Sequence, residues 1–230
     1  MTAPAEVRPA DDIAQRRTAQ ELVADRLRLE ILSGTLGPGM RLQQAKVAQR
    51  MRTSTTPVRE AFRELAVEGL VDLDPHRGVI VHEPSKAELS EVYEMRSVLE
   101  PMCMVKTVER ISEQEIALAD DMCHQMDAEA EPGSWVILNS RFHSVLAAAA
   151  RSPLLVAAVN NLRNRSAIYI AASFRLEPER MAGANAEHYA MVEACRRRDT
   201  EAAMEPLRSH LRSTVELGSL YLLRAGLDGG

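Results

Sequence analysis

The chain has 230 residues, 46% hydrophobic, 27% charged and only 3% aromatic, so Leu, Ala, Val and Met must fill the core, which favours helices. Its cysteines, Cys103, Cys123 and Cys195, are odd in number and in no CxxC pair, which excludes a disulfide framework or a cysteine zinc knuckle and points to a reducing cytoplasm. The net charge is −5, but residues 1–82 hold 12 Lys/Arg against 11 Asp/Glu (+1) and residues 83–230 hold 16 against 22 (−6), so a local basic patch sits on an acidic protein.

The length suggests two modest domains. Residues 1–17, polar and of mixed charge, do not have the pattern of a signal peptide and are expected to form a flexible tail. The most apolar stretch, Val145 to Val159, is broken by Arg151, Ser152 and Pro153 and falls short of the roughly 20 residues of a membrane span. Residues Ala19 to Leu32 place Leu22, Val23, Leu27, Leu29 and Ile31 or Leu32 near helical spacing, and Ser33, Gly34, Gly37, Pro38 and Gly39 end that helix. A short helix over about 43–51 follows.

The next stretch, TSTTPVREAFRELAVEGL, begins at Thr53. Thr55 or Thr56 is expected to cap a helix with Pro57 in its first turn. Val58, Ala61, Phe62, Leu65 and Ala66 share one face, while Arg59 and Arg63 share another with the hydroxyls. After Gly69 the period changes. Val71 and Leu73, then a turn carrying Arg77 and Gly78, then Val79 to Val81 describe two short strands. Three helices and a hairpin make a winged helix-turn-helix over 18–82, whose second motif helix enters the major groove of duplex DNA. Ser54, Thr55, Thr56, Arg52 and Arg63 suit phosphate oxygens, and Arg59 suits a guanine edge or a phosphate. Arg77 and Gly78 suit the backbone or minor groove beside the wing.

These residues resemble the DNA-binding domain of the GntR family of bacterial transcription regulators. The likeness runs through Leu42, Val47, Ala48, Met51, Ser54, Thr56, Pro57, Val58, Arg59, Glu60, Ala61, Leu65, Gly69, Leu70, Val71, Arg77, Gly78 and Val81. Two positions depart from the family pattern. Arg52 stands where the family has a turn glycine, which predicts a positive φ. Thr55 stands where it has an arginine that commonly contacts DNA, so operator preference is expected to differ.

Beyond the linker 83–85, breakers at 131–134, 152–153, 176–178 and 198–200 leave six helical segments, at about 86–109, 112–128, 134–150, 153–175, 178–197 and 199–224. The whole is therefore expected to be mainly α: a winged helix-turn-helix followed by an all-α six-helix bundle over 86–225. Asn139 and His143 share a face beside Trp135, Leu138, Phe142 and Leu146. His188 aligns with Met181, Ala184, Val192 and Cys195, and His210 with Ala203, Leu207, Leu211 and Thr214, so all three imidazoles are expected to point inward. Each alone could be a hydrogen-bonded core residue. Three on separate helices of one bundle suit a divalent transition metal, zinc first, with nickel, manganese or iron as alternatives.

The bundle also resembles the ligand-binding FCD domain of the FadR subgroup of that family, through Arg96, Glu100, His143, Glu187, His188, His210 and Leu211, and six helices suit the shorter VanR-like version. Asn139 replaces the usual aspartate, so the ion is expected to be held less tightly, or by three histidines and water. Arg96 has two readings: a solvated i, i+4 pair with Glu100, or, as the resemblance implies, a clamp for an effector carboxylate. The resemblance implies a homodimer on an inverted-repeat operator, responsive to a small carboxylate metabolite and repressing more often than activating. A metal-dependent enzyme and a constitutive DNA-binding protein with a structural bundle are the competing readings.

Overall fold

The computed structural model describes residues 17–226, so the expected tail at 1–17 lies almost wholly outside the described residues. Helix α1 (Ala19–Leu32) opens on a reciprocal cap: Thr18 Oγ1 accepts from the Glu21 N–H at 3.2 Å, and the Thr18 N–H donates to Glu21 Oε2 at 2.8 Å. Helix α2 (Gln44–Arg50) and helix α3 (Thr55–Val67) follow, with Val58, Ala61, Phe62 and Leu65 buried against Val23, Leu27 and Ile31 of α1. Strands β2 (Val71–Asp74) and β3 (Gly78–Val81) pair antiparallel, with Val71 opposite Val81 and Asp74 opposite Gly78.

Two details differ from the sequence expectation. The cap of α3 is Ser54 rather than a threonine, and its hydroxyl makes no capping bond. A two-residue strand β1 (Arg41–Leu42) adds to the outer side of β3, giving the order β1-β3-β2; two residues carry no readable alternation. Arg52 does have positive φ, at 52°, in the turn that ends α2, where the Thr53 N–H reaches back to the Ala48 carbonyl at 3.0 Å.

The second part consists of α4 (Lys86–Arg110), α5 (Glu113–Asp127), α6 (Pro132–Ala149), α7 (Pro153–Leu176), α8 (Arg180–Arg196) and α9 (Thr200–Ala225). Ser85, Ser112, Glu131 and Asp199 cap four of them through their side chains. No helix among the described residues is long and apolar enough to cross a membrane. The chain is mainly α, a winged helix-turn-helix joined to an all-α helical bundle.

The head rests on the bundle. Gly133 of α6 lies so close to the end of α1 that a Cβ there would sit 2.9 Å from Ser33 N, and Arg175 of α7 donates to the Leu32 carbonyl. The linker is tied down as well. The Tyr169 hydroxyl of α7 accepts from the Ser85 N–H at 3.1 Å and donates to Glu88 Oε2 at 2.9 Å, while His82 lies 2.6 Å from that oxygen and 3.0 Å from Asp72. Hydrogen bonding to Glu88 raises the His82 pKa above its ordinary value. A raised histidine pKa stabilises the fold fully below the unfolded value of about 6.5 and loses that contribution as pH climbs through the folded value. The apparent melting temperature should therefore fall with pH above about 6.5 more steeply in the wild type than in His82→Gln. Parallel curves would show that the latch carries no stability.

Candidate nucleic-acid interface and metal centre

The outer face of α3 is built from its unmade bonds. The first-turn N–H groups have no intrahelical acceptor, and Ser54, Thr55 and Thr56 are exposed around them. Arg59 and Arg63, with side chains 55% and 63% exposed, flank Glu60, which accepts from Arg63 Nη1 at 3.1 Å and from Arg59 Nε at 3.3 Å. The Arg63 hydrogen bond, helped by Arg59, holds the Glu60 carboxyl below its ordinary range. Glu60 thus steadies two guanidinium groups whose remaining N–H donors stay available to phosphate or base edges.

In the wing, Asp74 Oδ1 accepts from the backbone N–H groups of His76 and Arg77, each at 2.7 Å, and Gly78 takes φ 83°. This three-residue turn leaves Arg77 exposed at the tip. Arg52 is exposed at the turn between α2 and α3. Arg41, not among the expected contacts, extends beside Gly78: a Cβ there would lie 3.7 Å from the guanidinium. The missed signal was β1 itself, which places Arg41 against the wing.

Inside the bundle, α6 supplies Asn139 and His143, α8 His188 and α9 His210, all buried. The three imidazoles bring one ring nitrogen each within 4.8 Å of one another, and His143 Nε2 is 3.3 Å from His210 Nε2. Phe142 and Trp135 wall the His188 ring at centroid distances of 4.5 and 5.8 Å. Burial holds the His143 and His188 pKa values well below the ordinary one, so both rings are neutral at neutral pH.

Outer contacts of His210 and His188 fix which of their nitrogens face the centre. His210 Nδ1 lies 3.0 Å from Glu187 Oε2, a carboxylate that accepts, so Nε2 keeps its lone pair. Asn185 of α8 gives its Nδ2 to the Cys123 carbonyl at 2.9 Å and to Asp127, which turns its oxygen toward His188 Nδ1 at 3.3 Å. Among the described residues, His188 Nε2 and Asn139 Oδ1 are buried without any partner. An Nε2–Nε2 separation of 3.3 Å is close to the roughly 3.4 Å between two nitrogens about 2.1 Å from one tetrahedral ion. Three buried imidazoles at this spacing, with His188 Nε2 and Asn139 Oδ1 beside them unpartnered, fit a divalent transition metal.

Arg96 is 1% exposed. It makes the i, i+4 contact, Nε to Glu100 Oε1 at 2.6 Å, but in the interior and not as a solvated pair, and it lies 4.4 Å over the Tyr93 ring. Glu100 also pairs with Arg163 of α7, a residue overlooked in the sequence although it aligns with Val159, Leu162 and Ser166 on the inward face. Arg96 Nη1 and Arg163 Nε and Nη1 are buried without partners among the described residues. A cleft of about 220 Å³ among Phe174, Gly183, Glu187, Thr214 and Leu217 borders His210.

Residues 19–81 match the bacterial regulatory proteins of the gntR family, and residues 91–213, more than half the chain, match the FCD domain. The transcriptional repressor RspR of Escherichia coli K12 is 26% identical over 195 residues, which span 83% of this chain and 84% of that protein. The uncharacterized regulator YdhC of Bacillus subtilis is 25% identical over 126 residues, or 53% of this chain and 56% of YdhC, so the chain spans little over half of that relative's length. The Nta operon transcriptional regulator of Aminobacter aminovorans is 28% identical, over 56% of this chain and 62% of its own. Among solved structures, Escherichia coli McbR/YncC superposes with a TM-score of 0.74 at 21% identity, covering 89% of this chain and 98% of that one, a likeness of fold.

Proposed function

Because the chain belongs to the gntR family of bacterial regulatory proteins and carries its FCD domain, we propose that it is a metabolite-responsive repressor that grips an inverted-repeat operator as a homodimer. Each head presents α3 to the major groove, with Arg59 reading bases. Arg63, Arg52, Ser54, Thr55 and Thr56 hold phosphates, and Arg77 and Gly78 follow the backbone beside the wing. Two-fold pairing of the chains presents two heads to two half-sites. Met95, Val98, Met102 and Val105, spaced three and four apart along α4 and 38 to 61% exposed, supply an apolar stripe for that pairing.

In the bundle, Asn139, His143, His188 and His210 hold one divalent transition metal, zinc first among the candidates. When bound, the ion supplies a Lewis-acid position for a carboxylate oxygen of a small organic acid. Arg96 binds that carboxylate through its free Nη1, and Trp135 and Phe142 keep water from the donors. The observation that carries this reading is the convergence of three imidazoles with an unpartnered His188 Nε2 and Asn139 Oδ1. The effector shifts operator affinity only by binding one dimer shape better than the other. The relatives are regulators, so the enzyme reading of a three-histidine centre is set aside.

The test is a gel shift on the operator region upstream of the gene, with metal-loaded and chelator-stripped protein, across a panel of organic acids. An acid should change operator affinity only when metal is present, and Arg96→Ala should weaken that acid at least about tenfold, the loss of a charge-assisted contact. Indifference to metal and to every acid would leave a constitutive DNA-binding protein. Asn185 carries a separate expectation. Asn185→Leu frees the His188 ring to turn and should lower metal affinity about 10- to 100-fold in a chelator competition. Unchanged affinity would remove Asn185 from the centre.

A further inference from the structure

Two clefts of about 540 and 430 Å³ adjoin between head and bundle, sharing Asp25, Ile137 and Arg141 among their lining residues. Each falls within the roughly 300 to 1,000 Å³ of a small-molecule site. The head supplies Leu29, Leu32 and Leu70 as apolar walls, and the bundle supplies Met122, Ile137 and Val145. Ile137, Arg141 and Val145 recur every four residues, so one face of α6 forms the floor, while Asn139 and His143 lie on its opposite, buried face. Charge narrows the occupant further. Asp25 is held by Arg17 at 3.0 Å and by Arg28 at 2.5 Å, and Arg28 also grips Glu68 at 2.5 Å. Glu129, which lines the first cleft only, accepts from the Glu131 N–H at 2.8 Å. Arg141 is the one charged lining residue with neither a hydrogen bond nor an ion pair among the described residues.

We propose that this groove binds an amphipathic monoanion, an aliphatic or aromatic acid whose single charged group meets Arg141. Its apolar body lies between Leu32 and Leu70 of the head and Met122 and Val145 of the bundle. A free guanidinium beside apolar walls recognises an anionic group joined to an apolar one. A second charge would find no cation: Arg28 is taken by Asp25, Glu64 and Glu68, and Ser140, Ser144 and Asn164 are neutral. The site needs neither the metal nor Arg96 and is additional to the effector site inside the bundle. Because its walls come from both units, an occupant braces the head in one pose against α6. It shifts operator affinity to the extent that it binds this pose better than others.

The experiment is fluorescence titration of the full-length protein with two dyes. Anilinonaphthalene sulfonate carries a sulfonate that stands in for the acid group, and phenylnaphthylamine is the same body without it. Arg141→Gln should weaken the sulfonate about fivefold, the upper end for an exposed ion pair, and leave the neutral dye within about twofold. Arg141→Lys, which keeps the charge, should retain most of the sulfonate's affinity. Ser144→Trp, an exposed position whose new indole would fill the second cleft, should weaken both dyes at least about tenfold. All these affinities should be the same in metal-loaded and chelator-stripped protein, which separates this site from the metal reading. Sulfonate affinity unchanged in Arg141→Gln, or dyes indifferent to Ser144→Trp, would overturn the proposal. So would a wild type that binds neither dye, the result expected if a second copy of the chain covers the groove. A sulfonate affinity lost on stripping the metal and in Arg96→Ala would place the dye at the effector site and equally overturn it.

Discussion

Arg59→Ala should abolish specific operator binding while the bundle stays folded and keeps its metal. A bidentate arginine–guanine contact contributes about 1 to 3 kcal/mol of discrimination, and a two-fold dimer loses it twice, roughly 2 to 6 kcal/mol together. The side chain is exposed and, among the described residues, hydrogen-bonds Glu60 alone, which keeps its contacts with Arg63, so the fold should survive the substitution. Arg63→Ala is the control: losing a phosphate partner should weaken binding to all sequences alike and reduce the slope of log K against log salt by about 1 per head. Fluorescence anisotropy on operator and scrambled duplexes reads both quantities. Full operator affinity in Arg59→Ala would remove the docking geometry.

The second large effect concerns the imidazoles. Adding metal at about a thousandfold excess over its Kd should stabilise the wild type by roughly 4 kcal/mol. His143→Gln, His188→Gln and His210→Gln combined should abolish that gain while keeping the interior filled. The pH dependence has a definite sign. Burial depresses the folded pKa of His143 and His188, so below about 6.5 the unfolded chain takes up protons that the native rings refuse, and stability falls as pH falls. This is opposite to the His82 latch, whose contribution fades as pH rises. A metal-induced gain that persists in the triple variant would place the ion elsewhere.

Much of this was legible from spacing. The apolar period places α1 at the bounds the structure has, and breakers such as Ser152 and Pro153 mark the turns of the bundle because they act locally. Arg52 at a glycine position gives the positive φ expected of a turn that must reverse there. What escaped depends on partners distant in sequence. Strand β1 exists only because β3 offers it an edge, so Arg41 was not seen beside the wing. The Arg96–Glu100 pair reads as a surface bridge until α7 covers it and brings Arg163 to the same carboxylate from 63 residues away. Asn185 is unremarkable in sequence and becomes informative once Cys123 and Asp127 fix its amide. Inward histidines could be foreseen from helical phase; their meeting at one point could not, since it depends on how α6, α8 and α9 pack.

Anomalous diffraction at the metal's absorption edge, on crystals of metal-loaded protein, tests the centre directly. The account predicts one peak per chain about 2.1 Å from a ring nitrogen of each of His143, His188 and His210. Ions found only at surface carboxylates, or no peak among the three rings, would contradict it.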